Sequence, residues 1–244
     1  MRDPPRDPGA APAAVIVGAS SGIGAALALR LMQDGWRLGL AARRADRLAE
    51  LAVRIGPSAH TATLDLARPE EAREHLRSLL DTLGGADLIV VTAGTGELNR
   101  GLAWAPDRAT LDVNVTGFAA VAQLAMEHFL ARGSGHLVGV SSVAKLRGSG
   151  DAAAYAASKA FVSTYLDGLR DRVRPLRGAI AVTEVCPGFV QTAMMKAEHP
   201  FWIASPERAA EAIAHAIRRR AKRAYITRRW GLVGALLRLL PAPG

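Results

Sequence analysis

The sequence predicts an α/β fold built on a mainly parallel, seven-stranded, doubly wound sheet with helices on both faces. Seven short apolar runs, several rich in Val, Ile and Leu, lie near 13–18, 37–42, 59–65, 86–92, 135–141, 179–186 and 224–227. Runs of this kind suit strands buried on both sides. Between them fall stretches of helical period near 22–34, 45–55, 69–83, 107–131, 152–174 and 206–220, so strand and helix alternate from the start. Composition points the same way. Half of the 244 residues are hydrophobic, only 5% are aromatic and 24 are Gly, which favours helices lying close against a sheet.

Taken in order, the elements carry their own punctuation. Strand 13–18 runs into a Gly-rich turn and a first helix that Gly35 closes; strand 37–42 feeds helix 45–55. Strand 59–65 is followed by Pro69 at the head of a helix ended by Gly84, and strand 86–92 by Pro106 and a long helix ended by Gly133. A second long helix, 152–174, follows strand 135–141. After strand 179–186, Ser205 is an N-cap and Pro206 the first helical residue of the segment leading to strand 224–227. Repeated units of this type give a Rossmann-like topology.

A chain of this length can bury its core as one domain, expected at 13–228. Residues 1–12, with prolines, alternating charges and no apolar core, read as a flexible tail and not an export signal. Residues 229–244 form a basic and apolar tail. The net charge of +9 is concentrated at that end: 212–244 hold eight basic residues and no acidic ones, while the remainder holds 23 basic against 22 acidic. The main domain therefore lacks the basic stripe of a nucleic-acid-binding face. Cys186 stands alone, which excludes a disulfide framework, and no His/Cys cluster has the spacing of a metal site. A reducing cytoplasm is the expected compartment.

The first candidate site is the turn Gly18-Ala-Ser20-Ser21-Gly22-Ile23-Gly24, between the first strand and the first helix. Glycines there let backbone approach a pyrophosphate, and the helix N-terminus offers free N–H groups and partial positive charge. The spacing is G-x-x-x-G-x-G and not the generic G-x-G-x-x-G. Gly18 to Gly22 also match G-x-S-x-G, a hydrolase elbow with Ser20 as nucleophile. That motif needs a sheet already built before it and an acid and a His placed later, whereas here one strand precedes it and no later His has a distinctive setting.

The second strand ends at Ala42 and Arg43, followed by Arg44. An acidic residue at that point would bind the ribose hydroxyls of NAD, whereas Arg offers the extra phosphate of NADP a bidentate cation. A solvated start to the next helix is the bland alternative. Asp65 either accepts a hydrogen bond from an adenine amino group or caps the helix after it.

The third candidate is the pair Tyr155 and Lys159, one helical turn apart, with Ser142 thirteen residues upstream of Tyr155. At i, i+4 the phenol and the ammonium share a helix face, so the cation can favour the phenolate. Bringing a Tyr pKa from about 10 to near 7 takes roughly 4 kcal/mol, of which the ammonium would supply part. A packing pair on a helix is the ordinary alternative.

These motifs, in this order and spacing, resemble the short-chain dehydrogenase/reductase family from about Ala14 to about Thr192. The matching features are Gly18-x-x-x-Gly22-Ile-Gly24, Asn114 within 111–115, Ser142, Tyr155, Lys159, and Pro187-Gly188 through Thr192. The resemblance implies an NAD(P)-dependent oxidoreductase with catalytic residues Asn114, Ser142, Tyr155 and Lys159. Tyr155 would pass a proton to or from the substrate oxygen, Ser142 would hold that oxygen, Lys159 would lower the Tyr155 pKa and bind ribose, and Asn114 would support a water linking Lys159 to solvent. The cofactor, NADP(H) in preference to NAD(H), would lie against Gly18, Ser20, Ser21, Gly22, Ile23, Gly24, Arg43, Arg44, Asp65, Leu66, Ala93, Gly94, Tyr155, Lys159, Pro187, Gly188, Val190 and Thr192.

Two departures stand out. The family commonly has Asn-Asn-Ala-Gly after the fourth strand, but this chain has Val91-Thr92-Ala93-Gly94, and Val91 and Thr92 receive no polar role. The C-terminus lacks the Gly-rich strand segment that helps many members form tetramers, so a dimer through helices 107–131 and 152–174 is the expected assembly. The apolar stretch 230–240 either lies in a membrane interface with Trp230 at headgroup depth, or packs over the substrate cleft or another subunit. Residues 188–205 are expected to form a substrate lid, greasy through Phe189, Met194, Met195, Phe201 and Trp202, which implies a small apolar ketone, aldehyde or secondary alcohol. A reductase of carrier-bound 3-oxoacyl groups and a non-catalytic dinucleotide sensor are the competing readings.

Overall fold

Side chains alternate along the first strand between two separate cores, and this sorts the helices onto two faces of one sheet. In the computed structural model, which describes residues 11–195 and 200–239, β1 (Ala13–Val17) sends Val15 and Val17 to one side and Ala14 and Ile16 to the other. The remaining strands are β2 (Arg37–Ala42), β3 (Ala59–Thr63), β4 (Leu88–Val91), β5 (Gly135–Val140), β6 (Ile180–Pro187) and β7 (Arg223–Ile226). Among the described residues they form one seven-stranded sheet in the order β3-β2-β1-β4-β5-β6-β7. Every pairing is parallel.

The first core gathers α3 (Pro69–Leu83), α5 (Phe118–Arg132) and α6 (Ala153–Val173), with Leu76, Phe129 and Leu166 fully buried. The second gathers α1 (Gly22–Gln33), α2 (Ala45–Ile55) and α7 (Pro206–Arg218), with Leu27, Leu48 and Ile213 inside. The expected capping is present. Pro69 occupies the first turn of α3, Gly84 and Gly133 close α3 and α5, and the Ser205 hydroxyl accepts the Arg208 N–H at the start of α7.

Two elements differ from the sequence reading. The helix expected over 107–131 begins earlier, as α4 (Trp104–Leu111), because Pro106 is tolerated among the first residues, whose N–H groups have no helical partner anyway. It then widens into a π-helical turn, Asp112–Gly117, before α5. That turn buries Asn114 and brings Gly117 against Leu66, leaving 2.6 Å between a would-be Cβ and the Leu66 Cβ. The second difference is α8 (Arg228–Leu239). The sequence showed an apolar tail there, and Gly231 and Gly234 let it pack as a helix on Tyr225 of β7.

The chain reverses its winding between β1 and β4. In an open α/β sheet this leaves a crevice beyond the carboxyl ends of those strands. The expected N-terminal tail falls, up to residue 10, outside the described residues, as do 196–199 of the expected lid and 240–244 of the C-terminal tail.

Candidate active site

A cavity of about 750 Å³ opens at this crevice. Every residue expected to hold the cofactor or carry the reaction lines it, except Asn114. The alternation of strand and helix accounts for this gathering, since each βα turn ends on the same edge of the sheet.

The turn from β1 to α1 forms one end. Gly18 has φ +101°, and a Cβ there would stand 2.5 Å from the Ala93 nitrogen, so only glycine fits this approach. The Thr92 hydroxyl lies just beyond, donating to the Val17 carbonyl at 3.0 Å. Thr92, given no polar role from sequence, therefore ties β4 to β1 directly under the turn. Ser21 precedes α1 without capping it, and no acidic residue lies in the first turn, so among the described residues the N-terminal N–H groups meet no side-chain acceptor. Thr192 closes over the turn, leaving 2.9 Å between its Cγ2 and a Cβ built on Gly22. A bare helix N-terminus behind glycines that admit no side chain fits a pyrophosphate.

Arg44, at the end of β2, donates to Ser20 Oγ at 3.0 Å and to Ser21 Oγ at 2.6 Å, and exposed Arg43 stands beside it on the wall. Ser20 is thus engaged by a guanidinium and not by an imidazole, the opposite of what a hydrolase nucleophile needs. Asp65 Oδ1 accepts the Ala67 N–H at 3.0 Å. It closes the turn before α3 and does not cap the helix, whose N-cap is Arg68.

The middle of the cavity is built from α6 and the ends of β4 and β5. Asn114, 1% exposed, accepts the Thr95 N–H at 2.8 Å and donates to the Thr95 carbonyl at 2.7 Å and to Ser158 Oγ at 3.0 Å. Ser158 in turn donates to the Tyr155 carbonyl at 2.8 Å. Asn114 therefore stands behind the wall, joining the loop after β4 to α6. Lys159, 4% exposed, donates to the Val140 carbonyl at 3.2 Å, and its Nζ lies 5.7 Å from the centre of the Tyr155 ring.

Burial governs the electrostatics here. It lowers Lys159 to about 8 and pushes the Tyr155 phenol above its ordinary value, while a hydrogen bond with Ser142 pulls the phenol back down. The counterweight on Tyr155 in this structure is therefore Ser142, where the helix spacing had pointed to Lys159.

The other end is apolar. Phe189, Met194 and Met195 line it as expected, but Phe201 and Trp202 form an outer layer that does not reach the wall. The sequence reading left the place of Trp230 open. From α8 its buried indole lies on Gly188, where any Cβ would overlap the ring, and its ring centre stands 5.8 Å from that of Phe189 and 5.2 Å from that of Phe201. Val233, one turn on, completes the wall. Of the two readings of the tail, packing over the cleft is the one that matches these positions.

A parallel doubly wound sheet with this cavity at its switch point is a scaffold suited to binding a nucleotide there, and comparison with known proteins gives the family. The family model described as short chain dehydrogenase matches residues 12–201. The chain belongs to that family and is an NAD(P)-dependent dehydrogenase or reductase. It is 41% identical over 185 residues to an uncharacterized oxidoreductase of Myxococcus xanthus, covering 73% of this chain and 72% of the relative. It is 35% identical over 238 residues to an uncharacterized oxidoreductase of Mycobacterium tuberculosis, covering 93% and 91%. Among solved structures, a short-chain dehydrogenase from Sphingobium yanoikuyae in complex with NADPH superposes with a TM-score of 0.80 at 25% identity, covering 93% of this chain and 94% of that one.

Proposed function

We propose that this oxidoreductase reduces a small apolar ketone or aldehyde with NADP(H), and oxidises the matching secondary alcohol in reverse, with Tyr155 as general acid and base. The observation that carries this reading is the half-buried Tyr155 phenol at the wall of the cavity, hydrogen-bonded to Ser142 and with Lys159 Nζ 5.7 Å from its ring centre, its pKa raised by burial above the ordinary value. A neutral phenol is the proton-donating form, as carbonyl reduction requires. Ser142 holds the carbonyl oxygen beside the phenol, Tyr155 gives it a proton, and the Lys159 ammonium stabilises the phenolate left behind. A bound nicotinamide supplies or accepts the hydride. Asn114 acts through Thr95 and Ser158, fixing the loop and helix between which the site lies.

Arg43 and Arg44 support NADP(H) over NAD(H), because β2 ends without a carboxylate to bind a free ribose. Phe189, Met194, Met195 and Trp230 support an apolar substrate, with 188–205 as its lid. Part of the C-terminal charge is engaged away from the cleft, with Arg220 holding the Gly135 and Ala179 carbonyls and Arg218 beside Asp34, whereas exposed Arg229 lies over Trp202, so a carrier-bound substrate is the competing reading that the panel below distinguishes. A dinucleotide sensor would have no use for a proton donor. A cytoplasmic homodimer through the outer faces of α5 and α6 completes the reading. Peripheral membrane contact would rest on exposed Trp202, Leu232 and Arg229 and is tested by co-sedimentation with anionic vesicles.

The test is NADPH and NADH consumption across a panel of apolar ketones, apolar aldehydes and acyl-carrier 3-oxo esters. Turnover of apolar carbonyls with NADPH supports the proposal. Turnover confined to carrier-bound esters would contradict it.

A further inference from the structure

We propose that Glu184 is a positioning residue for Ser142, bracketing the serine through Ser141 on one side and Lys145 on the other. This rests on the reading of Ser142 as the hydroxyl that holds the substrate oxygen.

Glu184 lies on β6, three residues before Pro187, with 0% exposure. Its Oε1 accepts the Ser141 hydroxyl at 2.6 Å and pairs with the Lys145 ammonium, and its Oε2 accepts Arg223 Nε at 2.5 Å. Lys145 is itself buried and donates onward to Ser163 Oγ at 2.9 Å, one turn of α6 beyond Lys159. The segment between Ser141 and Lys145 is a single tight turn. Ser142 Oγ accepts the Ala144 N–H at 3.1 Å and its carbonyl accepts the Lys145 N–H at 3.3 Å. One carboxylate therefore fixes the residue before the serine and the residue three after it, and links both to the helix that carries Tyr155.

The chemistry of the cluster favours orientation over stability as its role. A buried ion pair stabilises a fold little or not at all compared with apolar side chains of the same volume, yet its bonds are directional. Lys145, Ser141 and Arg223 outweigh burial and hold the carboxyl down at about 2, so the brace stays charged at any working pH. Cys186 beside it is pushed up to about 11 by burial and by Glu184, and is therefore no nucleophile.

The experiment is a cycle between the brace and the serine. Lys145→Met with Glu184→Leu removes the buried pair and leaves Arg223 with Asp167 as its remaining partner, and it is combined with Ser142→Ala; kcat, KM, NADPH affinity and thermal midpoint are measured with a ketone that the wild type reduces. Expected is a fall in kcat of roughly ten- to a hundredfold at unchanged NADPH affinity, which disappears when the serine is already Ala. A kcat equal to wild type, or the same fold loss in the Ser142→Ala background, would overturn the proposal and leave the cluster a packing device. Where the double variant fails to fold, Ser141→Ala removes one hydroxyl only and is expected to give a smaller loss with the same dependence on Ser142; equal loss in both backgrounds overturns the proposal there too. A Ser142→Ala enzyme as fast as wild type would instead refute the role of the serine, and the brace with it.

Discussion

Lys159 Nζ stands 5.7 Å from the centre of the Tyr155 ring, yet both groups are governed by burial, which raises the phenol and lowers the amine to about 8. The lysine is therefore still largely protonated at pH 7 and loses its charge as the pH passes about 8.

The first prediction concerns this lysine. Its folded pKa lies below the unfolded value of 10.5, so the folded state binds fewer protons between 8 and 10.5. Stability therefore rises as pH climbs through that window, and below 8 the buried charge costs a constant amount, up to about 3 kcal/mol. Lys159→Met is expected to raise the thermal midpoint at pH 7, to abolish the climb between 8 and 10.5, and to lose most activity. Denaturation profiles of the two proteins across pH check the sign.

A second prediction addresses cofactor choice. Arg44 is already oriented by Ser20 and Ser21, and Arg43 shares its rim of the cavity. Replacing both with Ala is expected to weaken NADPH binding by roughly ten- to a hundredfold, the scale of charge-assisted hydrogen bonds, while changing NADH binding little. Fluorescence titration of each reduced cofactor measures the ratio.

The third concerns the wall formed by α8. Gly188→Ala is expected to destabilise the protein and to lower turnover, because its methyl group would overlap the Trp230 indole. Trp230→Ala alone costs roughly 3–5 kcal/mol if nothing refills the space, and it enlarges the pocket toward bulkier apolar ketones. The pair is expected to be non-additive, with Gly188→Ala nearly silent once Trp230 is gone. Thermal midpoints of the four proteins decide it.

Much of this was legible in the sequence because it rests on local periodicity. The seven strands, the capping by Pro69, Gly84 and Ser205, and the gathering of Gly18, Arg43, Ser142 and Tyr155 at one edge follow from alternating elements and the turns between them. Less legible were features decided by tertiary contact. The π-helical turn around Asn114 has no distinct hydrophobic period, because one extra residue in a buried helix still presents apolar neighbours. Thr92 looked like a lost carboxamide until its hydroxyl was seen to join β4 to β1. Glu184 and Lys145, separated by 39 residues, carry no local signal at all. A glutamate inside an apolar strand was the one available hint, since a buried carboxylate needs partners. The α8 helix was hidden for a related reason: its two glycines lower helix propensity, and packing on Tyr225 overrides that.

The central claim is that Tyr155 delivers the proton, and Tyr155→Phe tests it most directly, since only the hydroxyl is removed from a site whose packing is kept. NADPH affinity and single-turnover hydride transfer to an apolar ketone are measured side by side. Expected is binding within about twofold of wild type and a transfer rate lower by roughly a hundredfold to ten-thousandfold, the range for a positioned acid. A mutant that binds NADPH and transfers hydride at the wild-type rate would contradict the assignment.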